Sequence, residues 1–283
     1  MFYISSGLLI LPILLLISGC GEEPVDTALL KQQGIHAYEL KNFNEAVNYC
    51  RLGLKALPSD RDFLYYLGVS YAKLDLYDSA MVYIRRAKVL YPRDRDINKQ
   101  LIQLCPKFED YECALRAIAV LVASGDNEKM YWPQLADFNY RVGNYILAVQ
   151  YYKMALDNNP NIANYYFYLS IILGQMGKFQ EAIDYLEKSI ERFGPSEESY
   201  ANIGTMYINL RNYDKAEENF RSSLAINQDN ISVWINLANI LSMSEDVNKK
   251  REALEIYKKY QSQTPAMYNL DSLIPALEEE LEK

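Results

Sequence analysis

Three kinds of side chain here could do covalent, acid–base or metal chemistry. They are four cysteines (Cys20, Cys50, Cys105 and Cys113), one histidine (His36) and 37 carboxylates. A nucleophile–imidazole–carboxylate relay or a multi-histidine metal centre is poorly served by a single His. No phosphate loop, dinucleotide fingerprint, HExxH or nucleophile-elbow pattern occurs in the 283 residues. Carboxylates such as Glu187, Glu217 and Glu218 fall at helical positions that face solvent, so they read as a solvated surface and not as acid/base pairs. His36 reads as a half-buried packing residue at the end of the chain's architecture. Cys50 and Cys105 read as small apolar filler. Cys113 falls at an exposed position. A Cys105–Cys113 disulfide is conceivable across one turn, but the two positions point in different directions. Zinc bound by these cysteines alone would lack ligands. The expectation is a chain that is not an enzyme and uses no cofactor, metal or small-molecule substrate. An envelope hydrolase is the alternative from another class, and it would need a catalytic constellation that the sequence does not display.

The formal charge is −8, with 29 basic against 37 acidic residues. An acidic chain does not suit a nucleic-acid backbone, which needs a cationic face. Half of the residues are apolar and 23% are charged, a globular composition.

Near the start, Leu8 to Ile17 form an apolar run of ten, broken only by Pro12. It is too short to span a bilayer core, which takes about 20 residues. The run ends in Ile17-Ser18-Gly19-Cys20. This resembles the h-region and lipobox of a bacterial lipoprotein signal, which implies cleavage after Gly19 and lipidation of Cys20. Met1 to Gly7 contain no Lys or Arg, a departure from the basic start of such signals. The competing readings are a cleaved soluble signal or a buried strand. An Asp directly after the lipidated Cys resembles an inner-membrane retention signal; Gly21 is not that, so the resemblance implies the outer membrane. Glu22 and Glu23 permit a surface-export reading or a plain acidic tether.

The rest of the chain repeats. Ala46, Ala80, Ala114, Ala148, Ala182 and Ala216 are each 34 residues apart, and an aromatic stands three residues before each of them. Windows therefore start at 27, 61, 95, 129, 163 and 197; numbering each from slot 1 to slot 34 puts the alanines at slot 20. A seventh window starts at 231, and three extra residues around Ser244 to Lys250 push its small residue to Ala253. Slots 4, 7, 8 and 11 form one helical face and slots 17, 20, 24 and 27 another. Small residues at slots 8 and 20 let two helix backbones approach. Pro58, Pro92 and Pro160 at slot 32 close the hairpin. One hairpin cannot bury both faces, so neighbours must stack.

The pattern resembles the tetratricopeptide repeat: an aromatic at slot 4, Leu-Gly at 7 and 8, Tyr at 11, Ala at 20, Phe at 24 and Pro at 32. The resemblance implies an all-α, right-handed superhelical solenoid of about seven hairpins with a capping helix. The expected organisation is a signal peptide over 1–19, lipidated Cys and tether over 20–26, and repeats over 27–60, 61–94, 95–128, 129–162, 163–196, 197–230 and 231–267. A capping helix follows over 268–283, with Pro275 in its first turn if Asp271 or Ser272 caps it. The third window carries Asn98 at slot 4, Ile102 at slot 8 and Pro106 late in its first helix, so that helix is expected to be short or bent.

In such stacks the first helices line a groove, and slots 2, 5, 9, 12 and 13 should face it. Slot 13 reads Lys73, Lys107 and Arg141 in successive windows. Lys99 joins from slot 5, with Tyr65 and Phe167 at slot 5 and Tyr140 at slot 12. A basic, aromatic face on an acidic chain suits an extended peptide with acidic or C-terminal carboxylate groups. The competing reading is electrostatic: slot 13 lies in the last helical turn, where the macrodipole favours cations. The carboxylate-clamp pattern of the family is missing, since Lys31 is followed by Ile35 and Lys99 by Gln103. The expected function is a membrane-anchored adaptor for envelope proteins or their extended segments, lipid-anchored at the outer membrane, on its periplasmic face or at the cell surface. A pilotin-like or outer-membrane assembly factor is the alternative.

Overall fold

A computed structural model describes residues 25–263 and 269–283. The leader, Cys20 and Pro265 lie outside the described residues. The described residues are all helical or turn, and no helix among them is long and apolar enough to cross a membrane. The chain divides into two units, Met1–Gln100 and Leu101–Lys283.

The first unit holds α1 (Thr27–Glu39), α2 (Phe43–Ala56), α3 (Arg61–Lys73) and α4 (Tyr77–Leu90). Helix α5 (Arg95–Leu104) runs across the division. The second unit continues with α6 (Tyr111–Ala123), α7 (Trp132–Arg141), α8 (Tyr145–Asn158), α9 (Ala163–Gln175) and α10 (Phe179–Phe193). It ends with α11 (Glu197–Asn209), α12 (Tyr213–Ile226), α13 (Ile231–Ser242), α14 (Val247–Tyr260) and α15 (Leu270–Glu282). Within each unit, successive helices pack as antiparallel hairpins, as the slot pattern requires.

Side chains cap several of these helices. Asp60 accepts hydrogen bonds from the backbone N–H groups of Asp62 and Phe63 at 2.9 and 3.1 Å. Asp94 takes the Ile97 N–H at 3.0 Å, and Asn212 and Asn230 do the same for α12 and α13. A cap of this kind contributes about 1 kcal/mol. In the first six hairpins the link between paired helices passes through a left-handed residue at slot 15: Lys41, Asp75, Glu109, Gly143, Gly177 and Arg211, with φ between 56° and 82°. Only two of these six are glycine, so the position cannot be recognised from residue type.

The slot-20 alanines and Ala253 are all 0% exposed. The small residue at slot 8 faces more than its counterpart at slot 20. It makes room for the slot-24 side chain, since a Cβ on Gly68 would meet Ile84 at 2.7 Å and one on Gly204 would meet Phe220 at 2.7 Å. Gly53 gives way to the next hairpin, because a Cβ there would fall 2.2 Å from the Phe63 ring. In the first unit Val47, Cys50, Phe63 and Leu67 form one cluster. In the second, a cluster runs from Ala136 to Leu277.

The third window breaks as Pro106 requires. Helix α5 stops at Leu104 and a 3-10 turn, Cys105–Phe108, replaces its last turn. Asn98 is buried without waste: its side chain accepts from Lys88 Nζ at 2.5 Å and donates to the Asp94 and Pro92 carbonyls at 2.6 and 3.2 Å.

Two expectations need correction. Asp271 and Ser272 lie inside α15 and do not cap it; Asn269 precedes the helix with φ 54°, and Pro275 sits well beyond the first turn. Pro275 is tolerated because α15 presents Leu270, Ile274 and Leu277 to the core, and that burial outweighs one missing backbone bond. His36 is exposed, not half-buried. In α3 the equivalent side chain, Ser70, is fully buried beside Phe63 and Leu67. Helix α1 has no earlier described hairpin to cover that face, so His36, Gln32, Leu29 and Leu57 border an open cleft of about 850 Å³.

Candidate partner-binding faces

In the first unit, Tyr65, Lys73 and Lys99 occupy the slots expected to face a partner. Lys73 ends α3 and Lys99 lies on α5, and both are exposed. Tyr65 is more committed. The Arg61 guanidinium lies over its ring at 4.8 Å, and Tyr66 meets it edge-on at 5.2 Å. Burial, with Asp96 nearby, pushes its hydroxyl up to about 12.

An ion-pair ladder that includes Arg61 lies beside Tyr65, and the sequence reading missed it. Lys31 Nζ reaches Asp60 at 2.7 Å and Asp62 at 3.2 Å. Arg61 donates to Asp94 through Nε and Nη2 at 2.9 and 3.0 Å, and also reaches Asp96 at 2.6 Å and Asp62 at 3.1 Å. Burial opposes ionisation of Asp60 and Asp94, but the hydrogen bonds from Lys31 and Arg61 outweigh it and hold both carboxyls below the usual Asp value. The signal was present in the 34-residue register: Asp60 recurs as Asp94, and Asp62 as Asp96. The face is therefore mixed in charge, with Lys73 and Lys99 as cations outside the ladder.

In the second unit, Lys107 is exposed on the 3-10 turn. Arg141 ends α7, is about half exposed and lies 3.7 Å from Asp137 one turn earlier. Tyr140 packs on Tyr145 at 5.9 Å and accepts a hydrogen bond from Gln175 Nε2 of α9 at 3.0 Å. Phe167 on α9 is half-buried, with Tyr168 edge-on at 6.1 Å. Tyr168 in turn stacks on Tyr152 at 5.8 Å. Burial raises the Tyr152 hydroxyl, and Asp137 adds to the effect. The structure thus joins Tyr140 and Arg141 to α9 through Gln175. It adds Asp137, Tyr168 and Gln175, which lie at slots 9, 6 and 13; only slot 6 was outside the expected set.

The cysteines also differ from expectation. Cys105 and Cys113 are bonded, with Cα atoms 5.9 Å apart. The slots diverge only if the first helix is regular. Here the helix ends at Leu104, and Glu109, with φ 56°, turns the chain back so that the two side chains converge. Cys50 is free and buried, and burial, with Asp60 and Asp62 nearby, pushes its thiol up to about 12.

Stacked helical hairpins with small residues at most of their close contacts and a mixed-charge aromatic face define a repeat protein built to hold other polypeptides. Models of the tetratricopeptide repeat match residues 31–95, 126–193 and 197–230, together more than half of the chain. The chain belongs to the tetratricopeptide repeat family. It is 27% identical over 117 residues to the BBSome complex member BBS4 of Bos taurus, a match covering 41% of this chain and 22% of that relative's length. Among solved structures, a tetratricopeptide repeat protein from Parabacteroides merdae is similar over 89% of this chain and 98% of its own, at 13% identity and TM-score 0.53. YrrB, described as a TPR protein with an unusual peptide-binding site, is similar over 65% of this chain and 95% of its own, at 16% identity and TM-score 0.53. Pseudomonas aeruginosa pilF is similar over 75% and 96%, at 17% identity and TM-score 0.53. These likenesses establish the fold, and the chain is a protein-interaction module of that fold.

Proposed function

We propose that the chain is a lipid-anchored adaptor of the bacterial envelope, tethered through Cys20 at the outer membrane, that holds extended acidic segments of other envelope proteins. The observation that carries the binding half is the end of α7. There Arg141 stands beside Tyr140, whose hydroxyl is tied to Gln175 on the next first helix. A cation next to an aromatic face, as Arg141 is to Tyr140, recognises a carboxylate-bearing extended chain by charge-assisted hydrogen bonds and stacking; each unit adds exposed cations of its own, Lys73 and Lys99 in the first and Lys107 in the second. YrrB binds a peptide on the same kind of scaffold, by its own description. The Cys105–Cys113 bond favours an oxidising compartment, in keeping with an envelope location.

The binding half is tested by the triple variant Lys73→Glu, Lys107→Glu, Arg141→Glu, with thermal melting and envelope pulldown run in parallel. The expected result is a small shift in melting temperature and loss of at least one acidic partner. The loss is larger at low salt, because exposed charges are screened over about 8 Å at physiological ionic strength. Unchanged capture assigns the three cations to helix-end stabilisation instead. The anchoring half is tested by Cys20→Ser: the variant should accumulate as a slower-migrating precursor that does not label with palmitate. A variant that labels and fractionates like the parent sinks it.

A further inference from the structure

We propose that the outer faces of α2 and α4 form a second attachment to the membrane, a basic and aliphatic surface that lies on anionic phospholipid. The inference rests on the reading of Cys20 as the lipid anchor, and it names the side of the first unit that meets the bilayer.

Charge is divided unevenly along the chain. Residues 1–100 carry 12 basic and 11 acidic side chains, and residues 101–283 carry 17 and 26, so the excess of negative charge belongs to the second unit. Within the first unit the cations gather on one side of the second helices. Slots 22, 25, 26 and 29 follow helical spacing and point away from the packed slots 17, 20, 24 and 27. On α2 they are Asn48, Arg51, Leu52 and Lys55, all exposed, and these four line a shallow depression of about 230 Å³. On α4 they are Val82, Arg85, Arg86 and Val89, all exposed. Four of these eight residues are cations and none is a carboxylate. The only carboxylates on the two helices, Glu45 and Asp78, lie in their first turns. The same slots of α10 hold Asp184, Glu187, Lys188 and Glu191, a mixed surface. On α12, Arg221 is held by Glu217 and Glu252.

Helix-end electrostatics accounts for Lys55, which lies in the last turn of α2. It accounts neither for Arg51 and Arg86 nor for the aliphatic side chains among them. Val82 is 62% exposed and Val89 80%, the highest value for a large apolar side chain among the described residues. The two helices share one surface. Arg86 donates to the Pro58 carbonyl, and the Tyr91 hydroxyl donates to the Ser59 carbonyl at 2.6 Å, which brings the end of α4 against the turn after α2. Leu57 and Leu90 are exposed where the two meet. A headgroup layer suits such a face: its phosphates take the cations, and short aliphatic side chains enter the boundary beneath them.

The tether selects the bilayer as the occupant. Cys20 precedes Val25 by five residues, an extended reach of at most about 18 Å. An anchor at Cys20 therefore holds the start of α1, and with it the first unit, beside the headgroups. The face lies on second helices, whereas Tyr65 and Lys73 lie on the first helix α3, so membrane contact and partner capture use different residues.

The test uses the chain from residue 20 with Cys20→Ser, which carries no lipid and keeps every described residue, and measures co-sedimentation with vesicles. Vesicles of phosphatidylglycerol and phosphatidylethanolamine in equal parts should bind it at low salt, at least about tenfold better than vesicles of phosphatidylcholine. Arg51→Glu/Lys55→Glu should weaken that binding at least about tenfold. Lys188→Glu/Lys215→Glu, the same change of charge in the second unit, should stay within about twofold of the parent, because distant exposed charges are screened. Val82→Ser/Val89→Ser should weaken binding severalfold and leave its salt dependence in place. Thermal melting checks that each variant is folded; if Arg51→Glu/Lys55→Glu melts early, Arg51→Gln/Lys55→Gln replaces it, with an expected loss of at least about fivefold. A parent chain that does not sediment with the anionic vesicles overturns the proposal. An equal loss in the two charge-reversal variants also overturns it, since binding would then follow net charge. Palmitate labelling of Cys20 in the full chain reads the anchor separately. A chain that labels while its lipid-free form ignores vesicles keeps the anchor and loses the face; one that does not label while its lipid-free form binds loses the anchor and keeps the face.

Discussion

At the scale of single residues, the chain is governed by where no side chain fits. Ala148 is fully buried at the contact between paired helices, and Gln150, two residues on, is exposed on the opposite face of α8. Ala148→Leu should overpack that contact and cost about 1–3 kcal/mol. Gln150→Leu should stay within about 0.5 kcal/mol of the parent. Urea denaturation of the two variants measures the difference, and equal costs would contradict the register. The slot-20 alanine was legible because its constraint is steric and recurs: one residue type fits, so one residue type appears in each window. The partner of the slot-8 glycine was less legible. Cys50, Ile84 and Phe220 all fill that space, and their different sizes hide a common role.

At the scale of elements, the hairpin depends on a backbone conformation that the sequence conceals. Lys41, Asp75, Glu109 and Arg211 adopt the same left-handed geometry as Gly143 and Gly177. Their side chains share nothing; the conformation is imposed by closing two packed helices over a short link, so tertiary structure chooses it and local propensity does not. Nothing lies within 4 Å of a Cβ built on Gly177, so Gly177→Ala adds no clash and isolates the backbone term. It should destabilise the chain by about 1–2 kcal/mol, and Arg211→Gly should move stability the other way, by up to about 1 kcal/mol. Thermal melts of both variants check the pair of signs; a neutral Gly177→Ala would mean the link has another conformation open to it. The Cys105–Cys113 bond is concealed for a related reason. Slot directions follow an ideal helix, and Pro106 ends that helix at Leu104.

At the scale of the whole molecule, the charges are arranged in local ladders rather than spread evenly. One ladder runs from Lys31 to Asp96 in the first unit. Another joins Glu217 to Lys249 at 2.7 Å and to Arg221 at 3.0 Å in the second, with Arg221 also on Glu252 at 2.9 Å. Burial works against the Glu217 carboxylate, yet the bonds from Lys249 and Arg221 hold it below its ordinary value, as happens at Asp60 and Asp94. A lowered carboxyl contributes stability above its unfolded value and loses it as pH falls through the folded one. The unfolding midpoint should therefore fall with acid below about pH 4 and be level between about pH 5 and about pH 8, above which the raised Cys50 and Tyr65 groups begin to count against the fold. Asp94→Asn should lower stability at neutral pH and flatten part of that acid slope; an unchanged slope would remove Asp94 from the account. The repeat itself was legible because every window obeys the same packing rule. The ladders were not, because the pairs that tie one hairpin to the next (Lys31–Asp60, Arg61–Asp94, Glu217–Lys249, Arg221–Glu252) join residues about one window apart, and a pattern read one helix at a time does not couple them.

The concealment of Cys50 has a consequence for biogenesis. An unpaired thiol in a chain that also forms a disulfide ordinarily invites scrambled bonds, which an isomerase must then correct. Here the order of synthesis removes the competitor. Cys50 belongs to the N-terminal unit, which emerges first, and domains fold as units in that order. Once α2 and α3 have closed, Cys50 lies against Gly34 in the cluster with Phe63, out of reach of any thiol that follows. Cys105 and Cys113 then meet with no rival among the described cysteines, and an oxidant alone completes the bond.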